Sequence, residues 1–298
     1  MTLEQLALFV AVAERQHLTL GAQAAHRTPS AASAAIKALE TRYGVPLFDR
    51  VGRGIALTAA GAAFFEEAKA ILARTRAAEL ALSEWRGVLR GTLDLHASQT
   101  VASYWLPTRV MAFHARFPQI QIRLSVGNTE SVARAVLEGR AELGFVEGGV
   151  HDPQLQLSAL GHDRLLVVAA PAHPLAGRLR LGLPRLAEAS TWIMREAGSG
   201  TRSEFEAALR AAGVAPERLR VALTLPSNEA VLSAVHAGHS LAAISQLAAA
   251  PWLESGRLQR VGTALGARTF HALRHRERSL GAAAAALLDS GDATDAPG

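Results

Sequence analysis

The chain's 298 residues are too many for one typical domain and suit two or three, and with 49% hydrophobic residues it can bury substantial cores. Cys is absent, which excludes a disulfide framework, a thiolate metal site and a Cys nucleophile. The formal net charge of +5 favours an anionic partner, with Arg supplying nearly all of the positive charge, since Lys37 and Lys69 are the only lysines.

The first residues, M-T-L-E-Q-L-A-L-F-V-A-V-A-E, lack the basic opening of a signal peptide and carry Glu4 and Glu14. No run of about 18 uninterrupted apolar residues follows anywhere, so no membrane span and a cytoplasmic location are expected. Leu3 to Arg15 has helical period, with Leu6, Phe9, Val10 and Ala13 on one stripe.

Leu18 to Glu40 reads as two short helices joined by a tight connection. The first, about Thr19 to Ala25, is rich in Ala and Gly, which lets helices cross at close range. The second begins at Thr28-Pro29, because a Thr hydroxyl can accept from an orphan backbone N–H and Pro needs no N–H at the first helical position. On a wheel, Ala32, Ile36, Leu39 and Tyr43 form the packing side, and Ser30, Ser33, Lys37 and Thr41 the opposite side. That geometry fits a helix-turn-helix, whose second helix lies in the DNA major groove, and taken alone it fits equally well an ordinary helical hairpin with a polar face.

Gly44-Val45-Pro46 stops the helix. Leu47-Phe48 and Ile55 to Leu57 then flank a turn bearing Gly and Arg, a hairpin signal. As the wing of a winged helix it would bring Arg50 and Arg53 to phosphate or the minor groove. Thr58 caps a long helix expected to reach about Leu89. Gly61, Ala68, Thr75, Leu82 and Leu89 fall at one seam position of a seven-residue repeat, and Phe64, Ile71, Ala78 and Trp85 at the other. Such a helix needs a partner, and a second copy of the chain would supply one.

Three stretches, L-E-Q-L-A-L-F-V-A-V-A-E, T-P-S-A-A-S-A-A-I-K-A-L-E and G-V-P-L-F-D-R-V-G-R-G-I-A-L-T-A-A-G, closely resemble the LysR-type transcriptional regulators. The resemblance implies a homodimer or homotetramer whose paired heads bind an interrupted promoter dyad in double-stranded DNA. Thr28, Pro29, Ser30, Ser33, Lys37, Arg50 and Arg53 would be the DNA-binding residues. Leu20 stands where the family usually has Arg or Lys, and Gly21 where it usually has Ala.

Beyond Gly91 strands alternate with helices: strand Thr92 to Ala97, helix Val101 to Phe117, strand Ile120 to Val126, helix Glu130 to Glu138, strand Leu143 to Val146. Further strands are expected at Leu165 to Ala169, Trp192 to Met194, Val221 to Leu225, Leu241 to Ser245 and Thr269 to Leu273, with a last helix from Gly281 to Leu288. Alternation of this kind implies a parallel sheet with helices on both faces. The region resembles the family's effector-binding domain, similar in fold to periplasmic solute-binding proteins. The expected fold is therefore α/β: a mainly helical winged helix-turn-helix over 1–58, a linker and dimerisation helix over 59–90, and a two-lobed effector domain over 91–298. Its first lobe would take 91–162 and 267–298, its second 163–266.

Four loops put polar groups where open α/β sheets collect ligands. They are Ser98-Gln99-Thr100, Gly127-Asn128-Thr129, the stretch from Arg195 to Arg202 with Ser199, Gly200 and Thr201, and Ser227-Asn228-Glu229. Each could be a simple helix cap. Their joint position around one cleft, and their match to the family's contact loops, point to a small, anionic effector held by Ser98, Gln99, Thr100, Asn128, Thr129, Ser199, Gly200, Thr201, Ser227 and Asn228. His239 departs from the family pattern and is expected to alter packing beneath the cleft.

No catalytic set is present. Gly198-Ser199-Gly200 lacks the spacing of a nucleophile elbow, and no Gly-rich segment ends in G-K-[ST]. His236 with His239, and His271 with His275, have helical metal spacing but no acidic or Cys partners nearby. Neither an enzyme nor a bound metal or cofactor is expected. A solute-binding protein is the alternative of another class, and the capped helix-turn-helix and absent signal peptide argue against it.

Overall fold

The computed structural model describes residues 1–51, 54–84 and 91–290, which fall into two compact units. In the N-terminal unit α1 (Leu3–Arg15) opens on a capping box, in which Thr2 accepts from the Gln5 N–H and the Gln5 side chain accepts from that of Thr2. α2 (Leu18–Ala24) and α3 (Pro29–Tyr43) follow, then the antiparallel hairpin of β1 (Phe48–Val51) and β2 (Gly54–Leu57). α4 (Ala59–Glu84) begins where Thr58 Oγ1 accepts from the Gly61 N–H at 2.9 Å. Two apolar clusters hold the unit: Leu6, Phe9, Leu39, Leu47 and Ala68, and Leu8, Val12, Ala22, Ala32 and Ile36.

Gly21 is what lets α1 and α2 touch, since a Cβ there would lie 2.4 Å from Val12 Cα. The Ala usual in the family would not fit this crossing. Ala32, Ile36 and Leu39 are buried as their spacing predicts, whereas Tyr43 is 55% exposed. It is the last residue of α3, and Gly44 in the left-handed region (φ 68°) turns the chain away before Tyr43 reaches the core. Along α4, Gly61 and Ala68 are buried, and Phe64 and Ile71 pack on α1 and the hairpin within the same chain. The first half of the repeat therefore serves this unit's own core. Trp85 and Leu89 lie outside the described residues.

The second unit carries a nine-stranded sheet in the order β4-β3-β5-β11-β6-β9-β7-β8, with β10 also paired to β6. β3 (Gly91–Ser98), β4 (Ile120–Gly127) and β5 (Leu143–Glu147) are parallel, as are β7 (Thr191–Arg195), β8 (Arg220–Leu225) and β9 (Ser240–Ser245). The sheet is nevertheless mixed, because β6 (Leu155–Ala169) and β11 (Ala267–His275) run antiparallel to their neighbours and β10 (Gln259–Val261) to β6. β6 is 15 residues long and starts ten residues before the expected strand. Its first part is only partly buried, so no continuous apolar run marks it, and it pairs with β11 before passing to β9.

The single helix expected from Val101 to Phe117 is two, α5 (Gln99–Tyr104) and α6 (Leu106–Arg116), broken at Trp105 (φ −124°). Pro107 explains the break, since in a continuous helix its ring would collide with the Ser103 carbonyl and leave that acceptor without a donor. α7 (Thr129–Leu137), α8 (Leu183–Ala189), α9 (Gly200–Ala211), α10 (Asn228–Ala237), α11 (Gln246–Glu254) and α12 (Ala282–Asp289) cover the sheet. Separate cores form around Leu93, Leu95, Phe113 and Phe270 in one half, and around Trp192, Phe205, Leu209 and Leu241 in the other.

Candidate functional site

Thr28, Pro29, Ser30, Ser33 and Lys37 are all exposed on α3 or its cap. The capping expectation holds in geometry: Thr28 Oγ1 accepts from the Ala31 N–H at 3.2 Å and lies 3.0 Å from Ser30 Oγ. Arg50 is exposed on β1, and Arg53 lies outside the described residues. Leu20 is 51% exposed on α2, where a family Arg or Lys would offer a charge.

In the second unit most of the ten named residues meet. Asn228, fully buried at the start of α10, donates from its backbone N–H to Gln99 Oε1 at 2.6 Å and from Nδ2 to Thr100 Oγ1 at 3.0 Å. Its Oδ1 accepts from Arg195 Nη1 at 2.6 Å. Ser227 caps α10, accepting from the Ala230 N–H. Asn128 Nδ2 reaches Glu196 Oε1 and the Ala197 carbonyl at 3.3 and 3.2 Å. Thr129 donates to the Glu147 carbonyl at 2.8 Å, and a Cβ on Gly200 would sit 2.0 Å from that same oxygen, so only glycine allows α9 to start so close to β5.

Ser98 donates to the carboxylate of Glu147, which Thr201 Oγ1 also approaches at 3.5 Å. Thr201 in turn accepts from Arg268 Nη1 at 3.0 Å, and Arg268 binds Asp163 Oδ2 through Nε and Nη2 at 2.9 and 2.6 Å. Ser199 caps α9 in position but makes no side-chain cap bond. Its hydroxyl is buried without a partner, as is Asp163 Oδ1. Buried polar atoms of this kind are uncommon and ask for a reason.

Sequence reasoning missed Glu147, Asp163 and Arg268, each under a tenth exposed. Glu147 carried a signal, a carboxylate at the end of an apolar strand followed by two glycines. Asp163 and Arg268 carried none, since they meet only through the pairing of β6 with β11. Arg195 lay inside a named loop without being chosen. At the rim, Glu229 accepts from Gln99 Nε2 and, at 2.7 Å, from Tyr104 Oη. Burial, reinforced by that bond, pushes the Tyr104 hydroxyl well above the usual phenol range.

His271 and His275 lie on strand β11 rather than on a helix, where four residues span about 13 Å. Among the described residues no group of three or more His, Asp or Glu could hold a metal ion, and no helix is long and apolar enough to cross a membrane. His239 is exposed rather than beneath the cleft, and its neighbour is His173. Burial lowers the pKa of His173; the nearby His239 ring lowers it further, while a hydrogen bond to the His239 backbone opposes the shift.

Residues 3–62 match the family described as bacterial regulatory helix-turn-helix protein, lysR family, and residues 86–292 match the LysR substrate binding domain. The chain is 34% identical over 299 residues to the uncharacterized HTH-type transcriptional regulator YeiE of Escherichia coli K12, covering 100% of this chain and 99% of that protein. The crystal structure of full-length CbnR complexed with its target DNA superposes with a TM-score of 0.69 at 21% identity, covering 98% and 100% of the two chains. The regulatory domain of CcmR from Synechocystis PCC6803 in complex with 2-PG gives 0.62 at 25% identity, over 68% of this chain and 96% of that one.

Proposed function

The chain belongs to the LysR family of transcriptional regulators, a DNA-binding regulator with an effector-binding domain and not an enzyme, and from that premise we propose that a small anion is its effector. The observation that carries this reading is the buried, unpartnered Ser199 hydroxyl at the start of α9, beside a Thr201 hydroxyl whose bond to Glu147 is at the 3.5 Å limit. Two hydroxyl protons at a helix N-terminus form a donor set for oxygen acceptors. Asn128 and Thr129 approach the residues on either side of Ser199, Gly198 and Gly200, and Thr100 and Asn228, which bond each other, would complete the site. Glu147 takes the acceptor's part in this structure, and an oxyanion would compete with it for Thr201.

On the DNA side, the exposed face of Ser30, Ser33 and Lys37 would read the major groove, with Arg50 and Arg53 on the wing at phosphate or the minor groove. Two copies would present two such faces to an interrupted dyad, as a cytoplasmic homodimer or homotetramer. Both edges of the sheet support self-association: β4 exposes Leu124 and Val126, and β8 exposes Val221 and Leu223. The effector would act by binding one arrangement of the heads better than another.

The test is a mobility shift on the DNA upstream of the chain's own gene at two salt concentrations, repeated with phosphate, sulfate, organic phosphates and short dicarboxylates. Binding should weaken steeply with salt yet survive random competitor, and an anion should change it. A response confined to uncharged or cationic metabolites would remove the anionic reading.

A further inference from the structure

Arg268 and Asp163 face each other across β11 and β6, the two strands that pair at nine positions before β6 hands over to β9 at Leu165. Both side chains are almost wholly buried, at 2% and 1% exposure. A buried pair of this kind is expensive unless its remaining donors and acceptors are used. Arg268 uses three of its five N–H donors in hydrogen bonds: Nε and Nη2 hold Asp163 Oδ2, and Nη1 reaches past it to Thr201 Oγ1 at 3.0 Å, with the Glu147 carboxylate as a more distant ion-pair partner at 3.8 Å. Asp163 spends only one oxygen on the pair. The third arm of the guanidinium is therefore directed at a hydroxyl at the start of α9, a position that no strand pairing requires.

We infer that Arg268 is a positioning residue for effector recognition, acting through Thr201; the inference rests on the effector site proposed above. A hydroxyl has one proton and two lone pairs. With a lone pair occupied by the Arg268 N–H, the Thr201 proton is turned away from Arg268, toward Glu147 and the space at the start of α9. The group recognised at Thr201 is thus an acceptor oxygen, and Arg268 sets that polarity. Asp163 fixes the plane of the guanidinium, and so the direction of its third arm. A Lys at this position would keep the charge against Asp163 but lose the planar fork that serves two partners at once.

The experiment titrates full-length protein with inorganic phosphate by calorimetry, comparing the natural chain with Arg268→Lys, Thr201→Ser and Thr201→Val, and records thermal unfolding of each. Arg268→Lys and Thr201→Val should each weaken phosphate binding at least tenfold, with cooperative unfolding retained, while Thr201→Ser stays within about threefold of the natural chain. Arg268→Lys binding as tightly as the natural chain would overturn the inference. Should the natural chain take up no phosphate, the loss falls on phosphate as effector, and the role of Arg268 is then decided by the Arg268→Lys, Thr201→Val cycle in unfolding. Non-additive shifts support the contact, and additive ones overturn it.

Discussion

Of the helices that open with hydroxyl residues, α3 and α9 differ most usefully in what surrounds them. α3 starts from Thr28 with Ser30 and Ser33 beyond it, all exposed, and Thr28 caps its own helix. α9 starts from Ser199 with Thr201 beyond it, both at most 2% exposed, and Ser199 caps nothing. In the first, local chemistry satisfies the helix end and leaves a polar face to solvent. In the second, long-range packing encloses hydroxyls that local chemistry leaves unused. A surface built in the first way can meet a large partner such as DNA, and one built in the second way can hold only something small.

Each unit can be broken alone. Gly21→Val places a side chain where even a Cβ would meet Val12 Cα at 2.4 Å, and overpacking of that order costs about 3 kcal/mol. DNA binding should be lost while the second unit still unfolds at its usual temperature. Gly200→Val should do the reverse, since a Cβ there would meet the Glu147 carbonyl at 2.0 Å. Operator binding should persist, with no effector response. Differential scanning calorimetry beside the mobility shift would separate the two, and a variant that disabled both functions would show the units to be energetically inseparable.

Smaller changes sharpen the contrast. Ser33→Trp fills the exposed face of α3 without touching its core, so operator affinity should fall about 10- to 100-fold, equivalent to about 1.4–2.8 kcal/mol, with unfolding unchanged. Undiminished affinity would move the reading face elsewhere on the head. Thr100→Val keeps the shape of a fully buried side chain but leaves Asn228 Nδ2 without its acceptor, at about 1–3 kcal/mol. The expected result is a weaker effector response and a lower unfolding temperature, with operator affinity preserved.

The head was more legible than the site for the same physical reason. Caps, the turn at Gly44 and the 3.6-residue period act over a few neighbours, so α1, α3 and the hairpin could be placed from the residues alone. Tyr43 was misplaced because a wheel says which direction a residue points and not where the core ends. In the second unit the loops at Ser98, Asn128, Ser199 and Ser227 were legible as helix starts. Their convergence came from the resemblance, and the charges beneath them came from neither. Asp163 and Arg268 are 105 positions apart in the chain and meet only because β6 and β11 pair. Pro107 was a local signal that the apolar period of the surrounding helix concealed.

The smallest expected effect is on pH dependence, and it belongs to the second unit. His173 is 6% exposed, its Nδ1 accepts from the Leu175 N–H at 3.1 Å, and its Nε2 lies 3.3 Å from Ser190 Oγ. That arrangement needs the neutral ring, with the proton on Nε2, and burial lowers the pKa below the ordinary 6.5. In the unfolded chain the ring titrates near 6.5, so below that pH the unfolded state binds a proton that the folded state refuses. Stability from this group is full above pH 6.5 and declines as the pH falls, until the folded ring also protonates. His173→Gln should therefore reduce the loss of unfolding temperature between pH 7 and pH 5 relative to the natural chain, while leaving the pH dependence of operator binding by the head unchanged. An identical slope in both proteins would show that other groups, not this ring, set the acid sensitivity of the unit.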